Sequence, residues 1–229
     1  MSELVLAGDL GGTKTLLLLA EKPADGPLRP LREQRYASGE FARFDAVLAD
    51  FLAGETRPLA AAAFGVAGPT DGRHARLTYL PWTLDAAALQ AAFGIGRVAL
   101  VNDFAAAASG LDGLGPDGLH GLQPGVPLAG APRVVLGAGT GLGVAGLIWQ
   151  DGGYRVVPGE GGHMGFAPQS PEQLQLWQWL HAAQGRVTAE DVLCGAGIGR
   201  IHQALGGAAL DAAAISAAAL ASPPEPRAA

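Results

Sequence analysis

Arg97-Val98-Ala99-Leu100-Val101-Asn102-Asp103-Phe104 is the stretch on which the fold turns. An apolar run ends abruptly in Asn102 and Asp103, and an alanine-rich segment over 105–111 follows. A short apolar run of this kind reads as a buried strand, and the segment behind it as a helix. Open α/β sheets hold their ligands beyond the carboxyl ends of the strands. Asn102 and Asp103 therefore stand where chemistry is usually placed. The commoner role for Asp103 is a helix cap, accepting hydrogen bonds from the first free N–H groups. Residues elsewhere in the chain have to decide between the two roles.

At 229 residues the chain has room for one large domain or two small ones. Its apolar fraction of 49% and charged fraction of 16% are those of a globular protein. The formal net charge is −6, and no run of Lys or Arg forms a basic stripe. Neutralising a phosphate backbone takes clustered cations, so no nucleic-acid partner is expected. The single cysteine, Cys194, excludes an internal disulfide and suits a reducing cytosol. No cationic segment precedes the first apolar run, and no stretch approaches the roughly 18 apolar residues of a membrane span. A cytoplasmic protein with no membrane partner is the expectation.

Strand character over 4–8 leads into Asp9-Leu10-Gly11-Gly12-Thr13-Lys14, and a second strand over 15–20 follows at once. Two strands around a glycine-rich turn make a hairpin. A third strand is predicted over 31–37, a helix over 45–52, and a strand over 59–66 that ends in Gly65-Val66-Ala67-Gly68-Pro69. A short edge strand over 76–80 and a helix over 84–93 with Thr83 as N-cap come next. The opening strand and its helix complete the first half. Residues 110–132 are rich in glycine and proline and read as a connector, which places a domain boundary near Leu111 and gives domains at 1–111 and 112–229.

The second half opens like the first. A strand over 134–136, the turn Gly137-Ala138-Gly139-Thr140-Gly141-Leu142-Gly143 and a strand over 144–149 repeat the strand–turn–strand order. A third strand over 154–157 runs into Pro158-Gly159-Glu160-Gly161-Gly162-His163, and helical pattern covers 172–183, 189–194 and 198–205. The alanine-rich end, 208–229, reads as mobile. An internal repeat on this scale suggests two similar lobes facing each other across a cleft.

Neither glycine turn is a common phosphate motif. Thr13 stands before Lys14 where a P-loop needs glycine, and Leu142 stands where a dinucleotide fingerprint needs its third glycine. A glycine-rich β-turn-β still presents successive N–H groups as an anion nest, although ordinary hairpins look the same. Thr13 and Thr140 would add hydroxyl donors, Lys14 a charge, and Asp9 a carboxylate for Mg²⁺ or its waters. Two such turns in equivalent places favour phosphate binding. Glu160 and His163, on a glycine-rich loop, suit adjacent hydroxyl groups of a sugar, whereas zinc would want more ligands than one cysteine allows. His74, His120, His181 and His202 lack comparable surroundings, and Glu190 by default is a first-turn helix carboxylate.

Taken in order from Leu4 to about Leu205, these pieces resemble bacterial glucokinases of the hexokinase/actin-like superfamily. The resemblance rests on residues 8–13, 101–104, 137–143 and 158–163 together with Glu190-Asp191-Val192-Leu193-Cys194-Gly195. It implies an α/β protein of two ribonuclease-H-like lobes with an interlobe cleft, closing over glucose and ATP. Asp103 would take the proton from the sugar's 6-hydroxyl as it attacks the γ-phosphate, and Asn102, Glu160, His163 and Glu190 would hold other hydroxyls. Gly8, Asp9, Leu10, Gly11, Gly12 and Thr13 in the first turn, and Gly139, Thr140 and Gly141 in the second, would cradle the phosphates, with Asp9 serving Mg²⁺.

A homodimer is a family expectation. Tyr79 stands where the family often has asparagine. The family also continues beyond the point where this sequence stops, so the second lobe is expected to be incomplete and to lack the adenosine-binding segment. An open sheet edge and an uncovered apolar face would make the chain, on its own, poorly stable and weak in ATP binding. A hexose-binding relative without turnover is the alternative to the kinase.

Overall fold

The computed structural model describes residues 2–221 and falls into two compact units, Met1–Pro127 and Leu128–Ala229. The first unit runs β1 (Glu3–Leu10), β2 (Lys14–Lys22), β3 (Arg29–Ala37), α1 (Phe44–Phe51), β4 (Leu59–Val66), β5 (His74–Arg76), β6 (Thr83–Asp85), α2 (Ala86–Phe93), β7 (Val98–Asn102) and α3 (Asp103–Ser109). Its five-stranded sheet has the order β3-β2-β1-β4-β7. β1, β2 and β3 pair antiparallel, while β4 and β7 run parallel to β1.

Alternation along the strands decides which face is inside. Leu4, Leu6 and Leu10 of β1 are buried together with Leu17 and Leu19 of β2 and Phe64 and Val66 of β4. α1 covers this face because Phe44, Val47, Leu48 and Phe51 recur at helical spacing and are all buried. Phe44 meets Phe64 edge to face at 5.0 Å, and the buried Trp82 indole donates to the Phe41 carbonyl at 3.0 Å. The parallel strands β1, β4 and β7 thus end side by side, with Asp9, Val66 and Asn102 near their carboxyl ends.

Three local expectations are corrected in this unit. α2 is capped by Asp85, whose carboxylate accepts the Ala87 and Ala88 N–H groups, and Thr83 lies in β6 instead. The edge strand ends at Arg76, because the Thr78 N–H is spent on the Ala67 carbonyl and Leu77 bonds across the bend to Trp82. Asn102, not Asp103, caps α3. α3 runs straight into a 3₁₀ turn closed by Gly113 and Leu114, and the first compact unit extends to Pro127.

The second unit runs β8 (Arg133–Ala138), β9 (Leu142–Gln150), β10 (Gly153–Gly159), α4 (Pro171–Gln184), α5 (Gly195–Ala204) and α6 (Ala212–Ala221). Among the described residues its sheet has three strands in the order β10-β9-β8, all antiparallel. That order matches β3-β2-β1, so the repeat seen in the sequence is a repeat of strand topology. Asp151 and Gly152, both at positive φ, make the tight β9–β10 turn. Leu176, Leu180, Val187 and Val192 form a small core.

The helix expected over 189–194 is a turn. The Thr188 N–H and hydroxyl both donate to the Asp191 carboxylate, and Cys194 is extended and caps α5 with its sulfur. The alanine-rich end expected to be mobile from 208 forms α6, and residues 222–229 lie outside the described residues. No described helix is long and apolar enough to cross a membrane.

Candidate functional site

In the first unit the candidate groups gather where β1, β4 and β7 end. α3 begins directly after β7, and Gly65 of β4 lets it sit close: a Cβ there would lie 3.1 Å from the Ala106 methyl group. Asn102 Oδ1 accepts the Phe104 and Ala105 N–H groups, both at 3.0 Å, which satisfies two of the free donors at the helix start. Its Nδ2 donates to Asp103 Oδ1 at 3.0 Å, and the Phe104 N–H reaches the same oxygen at 2.7 Å. Among the described residues Asp103 Oδ2 has no hydrogen-bond donor. One carboxylate oxygen is pinned and the other is free.

Asp9 points to the same end of the sheet. It is exposed as a residue, but its carboxyl group is partly withdrawn from solvent and feels the Asp103 charge. Both effects raise its pKa above the ordinary value, burial more than charge. No group of three or more His, Cys, Asp or Glu side chains among the described residues could hold a metal ion.

The first glycine turn is narrower than its motif. Gly8 lies in β1 facing the core, where a Cβ would come within 2.7 Å of the Phe64 ring and 2.8 Å of a Leu17 methyl group. Leu10 is fully buried, so its side chain belongs to the core. The turn proper is closed by the Gly11 N–H donating to the Lys14 carbonyl at 2.9 Å. Gly12 and Thr13 have no acceptor for their N–H groups among the described residues. Sequence reasoning missed the brace beneath: buried Ser38 donates to the Gly11 carbonyl at 2.9 Å, lies 2.9 Å from the Thr15 hydroxyl, and gives its N–H to the Thr13 carbonyl. Its only sequence signal is a small polar residue directly after a strand. Exposed Tyr79 also stands against this turn, its Cβ 2.8 Å from where a Gly12 Cβ would be.

In the second unit the glycine turn and the acidic loop are in direct contact. The Gly139 N–H donates to the Gly141 carbonyl at 2.8 Å, while Thr140 and Gly141 keep unpaired N–H groups among the described residues. Glu190 Oε2 accepts the Leu142 N–H at 2.8 Å. Its other oxygen lies 3.5 Å from His163 Nε2, and His163 Nδ1 lies 3.5 Å from Glu160 Oε2. Glu160, His163 and Glu190 therefore form one chain of side chains. The loop packs so tightly on β9 that a Cβ at Gly162 would sit 2.2 Å from the Leu142 carbonyl oxygen, which only glycine avoids. Arg186 donates to the His163 carbonyl at 2.8 Å and fixes the loop from outside. Of the other histidines, His74 pairs with Asp71 on the surface and His181 stacks on Trp177.

A family model described as Glucokinase matches residues 6–228. The chain belongs to the glucokinase family. The glucokinase of Nostoc punctiforme is 42% identical over 206 residues, which cover 88% of this chain and 60% of that protein. A crystal structure of glucokinase from an Antarctic psychrotroph has a TM-score of 0.85 at 26% identity, covering 97% of this chain and 72% of that one. Glucokinase from Balamuthia mandrillaris in complex with glucose shares the fold, with a TM-score of 0.65 at 23% identity over 97% of this chain and 70% of that one. The α/β sugar-kinase fold expected from the motifs is the fold of this glucokinase family member. The chain spans about 60% of the length of the first curated relatives it matches.

Proposed function

We propose that the chain transfers the γ-phosphoryl group of ATP to the 6-hydroxyl of glucose, with Asp103 as general base. The observation that carries this reading is the half-pinned carboxylate of Asp103 at the carboxyl end of a parallel strand. Oδ1 is held by Asn102 and the Phe104 N–H, so Oδ2 is oriented and free to accept a proton. As the sugar oxygen forms its bond to phosphorus, its proton passes to Oδ2 and the ADP oxygen leaves with the electrons of the broken P–O bond.

The other residues bind and orient, which is most of what phosphoryl transfer requires. The free N–H groups of Gly12 and Thr13, and of Thr140 and Gly141, are donors suited to phosphate oxygens, with the two threonine hydroxyls beside them. Asp9 would hold Mg²⁺ or its waters, and that ion would supply neutralisation of phosphate charge. Glu160 and His163 offer an acceptor and a ring nitrogen to sugar hydroxyls, and Asn102 retains one amide hydrogen for the same use. A cytoplasmic enzyme fits the single cysteine, which suits a reducing compartment.

A coupled assay of glucose-6-phosphate formation tests the reading. Asp103→Asn is expected to lower kcat by about 10²- to 10⁴-fold while glucose still raises the melting temperature of the variant. Turnover unchanged in Asp103→Asn would overturn the assignment. Stabilisation by glucose with no turnover in the unaltered chain would leave a hexose-binding protein.

A further inference from the structure

The Glu190 side chain does something that a hexose contact does not require. Its Oε2 accepts the Leu142 N–H at 2.8 Å, and the same oxygen stands 2.5 Å from where a Cβ on Gly141 would be. The carboxylate therefore meets the backbone of the second glycine turn through Oε2. On the other side, the Glu190 N–H donates to the Gly162 carbonyl at 2.9 Å, and Oε1 faces His163 Nε2 at 3.5 Å. The turn is held from below as well, by the Gly195 N–H on the Gly139 carbonyl at 2.9 Å. Residues 190–195 thus clamp the turn at both of its ends.

We propose that Glu190 is a positioning residue for the second glycine turn, acting as an internal anion that occupies the Leu142 donor and so directs the neighbouring Thr140 and Gly141 N–H groups outward. A string of N–H groups around glycine is flexible unless something fixes its peptide planes. A charged acceptor makes a stronger bond to a backbone donor than a neutral one does. A side chain at position 141 would crowd the Glu190 carboxylate and shift it from the Leu142 donor. What the turn binds rests on the kinase reading, whereas the positioning itself rests on the hydrogen bond alone.

Amide hydrogen exchange at Leu142, together with calorimetric titration of ATP and of glucose, separates these claims. Glu190→Ala is expected to speed Leu142 exchange by about tenfold or more and to weaken ATP by a similar factor. Glu190→Gln keeps an oxygen for Leu142 and is expected to restore most of the protection and of the ATP affinity. Gly141→Ala should expose Leu142 with Glu190 still in place, and it guards against a Glu190→Ala chain that fails to fold. His163→Ala, which leaves the Leu142 acceptor intact, should leave Leu142 protection unchanged. Leu142 protection at the unaltered level in both Glu190→Ala and Gly141→Ala would overturn the proposal, as would a loss confined to glucose affinity. An unaltered chain that binds no ATP would overturn the kinase reading alone, and Leu142 exchange would still decide the role of Glu190.

Discussion

Asn102 Nδ2 donates to Asp103 Oδ1 across 3.0 Å while Asn102 Oδ1 accepts two N–H groups of the helix that Asp103 begins. The competition between cap and catalyst at this strand end is resolved by division of labour. The asparagine caps, and in capping it orients the aspartate.

That division makes Asn102 a residue whose stability and rate effects separate. Asn102→Ala removes the cap and is expected to cost about 1 kcal/mol of stability. Asn102→Asp keeps an acceptor for the helix N–H groups and should melt close to the parent. It replaces the Nδ2 donor to Asp103 Oδ1 with an acceptor, so the aspartate loses one of the two bonds that orient it. The kcat of Asn102→Asp should therefore fall although its stability does not. Melting curves and turnover on the two variants check both halves; an unchanged kcat in Asn102→Asp would show that Asn102 does not orient the base.

Gly8 reads in the sequence as part of a phosphate turn, yet it faces the core between Phe64 and Leu17. Gly8→Ala should destabilise by about 1–3 kcal/mol, the usual cost of overpacking. Gly39→Ala, with nothing within 4 Å of the added carbon, is the control and should stay within about 0.5 kcal/mol. Chemical denaturation measures both. A stable Gly8→Ala protein that has lost only nucleotide affinity would return Gly8 to the phosphate site.

The contrast between Gly8 and Gly12 shows what the sequence carried and what it did not. Strand period, glycine clusters and the repeated strand–turn–strand order are local signals, and they located every strand of the two main sheets to within a few residues. Gly8 and Gly12 are indistinguishable at that level, because facing the core or facing out depends on where Phe64 and Tyr79 arrive from distant segments. The same holds for Glu190. A carboxylate in a segment of helical pattern looks like a helix-end charge, and its acceptor role for Leu142, 48 residues away, exists only in the folded unit. Asp85 displaced Thr83 as a cap for a more local reason, since a carboxylate is the better acceptor for two N–H groups at once.

Tyr36 gives a pH-dependent test of the first unit's core. Burial pushes its phenol up to about 12, helped by the hydrogen bond it donates to Asp50 and by the Asp50 charge, with Arg32 acting in the opposite sense. A raised folded pKa means that the native state holds the proton more tightly than the unfolded chain. Its stabilisation is complete below the ordinary tyrosine value near 10, declines as pH rises from there, and is gone above about 12. Tyr36→Phe should lose about 1 kcal/mol at neutral pH but lack this alkaline decline. At about pH 11 the folded parent and the variant should show nearly equal phenolate absorbance, because the Tyr36 phenol still holds its proton there.

β8 is an edge strand, and Val134 and Leu136, on one face of it, are 70% and 68% exposed. Val157 of β10 and Ile148 of β9 extend the same apolar face, at 45% and 44%. A free edge beside an apolar face is a template for association. Leu136→Lys removes no buried contact, so it should change the unfolding free energy by no more than about 0.5 kcal/mol while reducing light scattering on heating and at high concentration. A loss of about 2 kcal/mol or more would mean that this face is covered in solution, since a lysine is costly only where water has been excluded. Denaturant melts at two protein concentrations decide between these, because cover by a second copy would make the penalty grow with concentration.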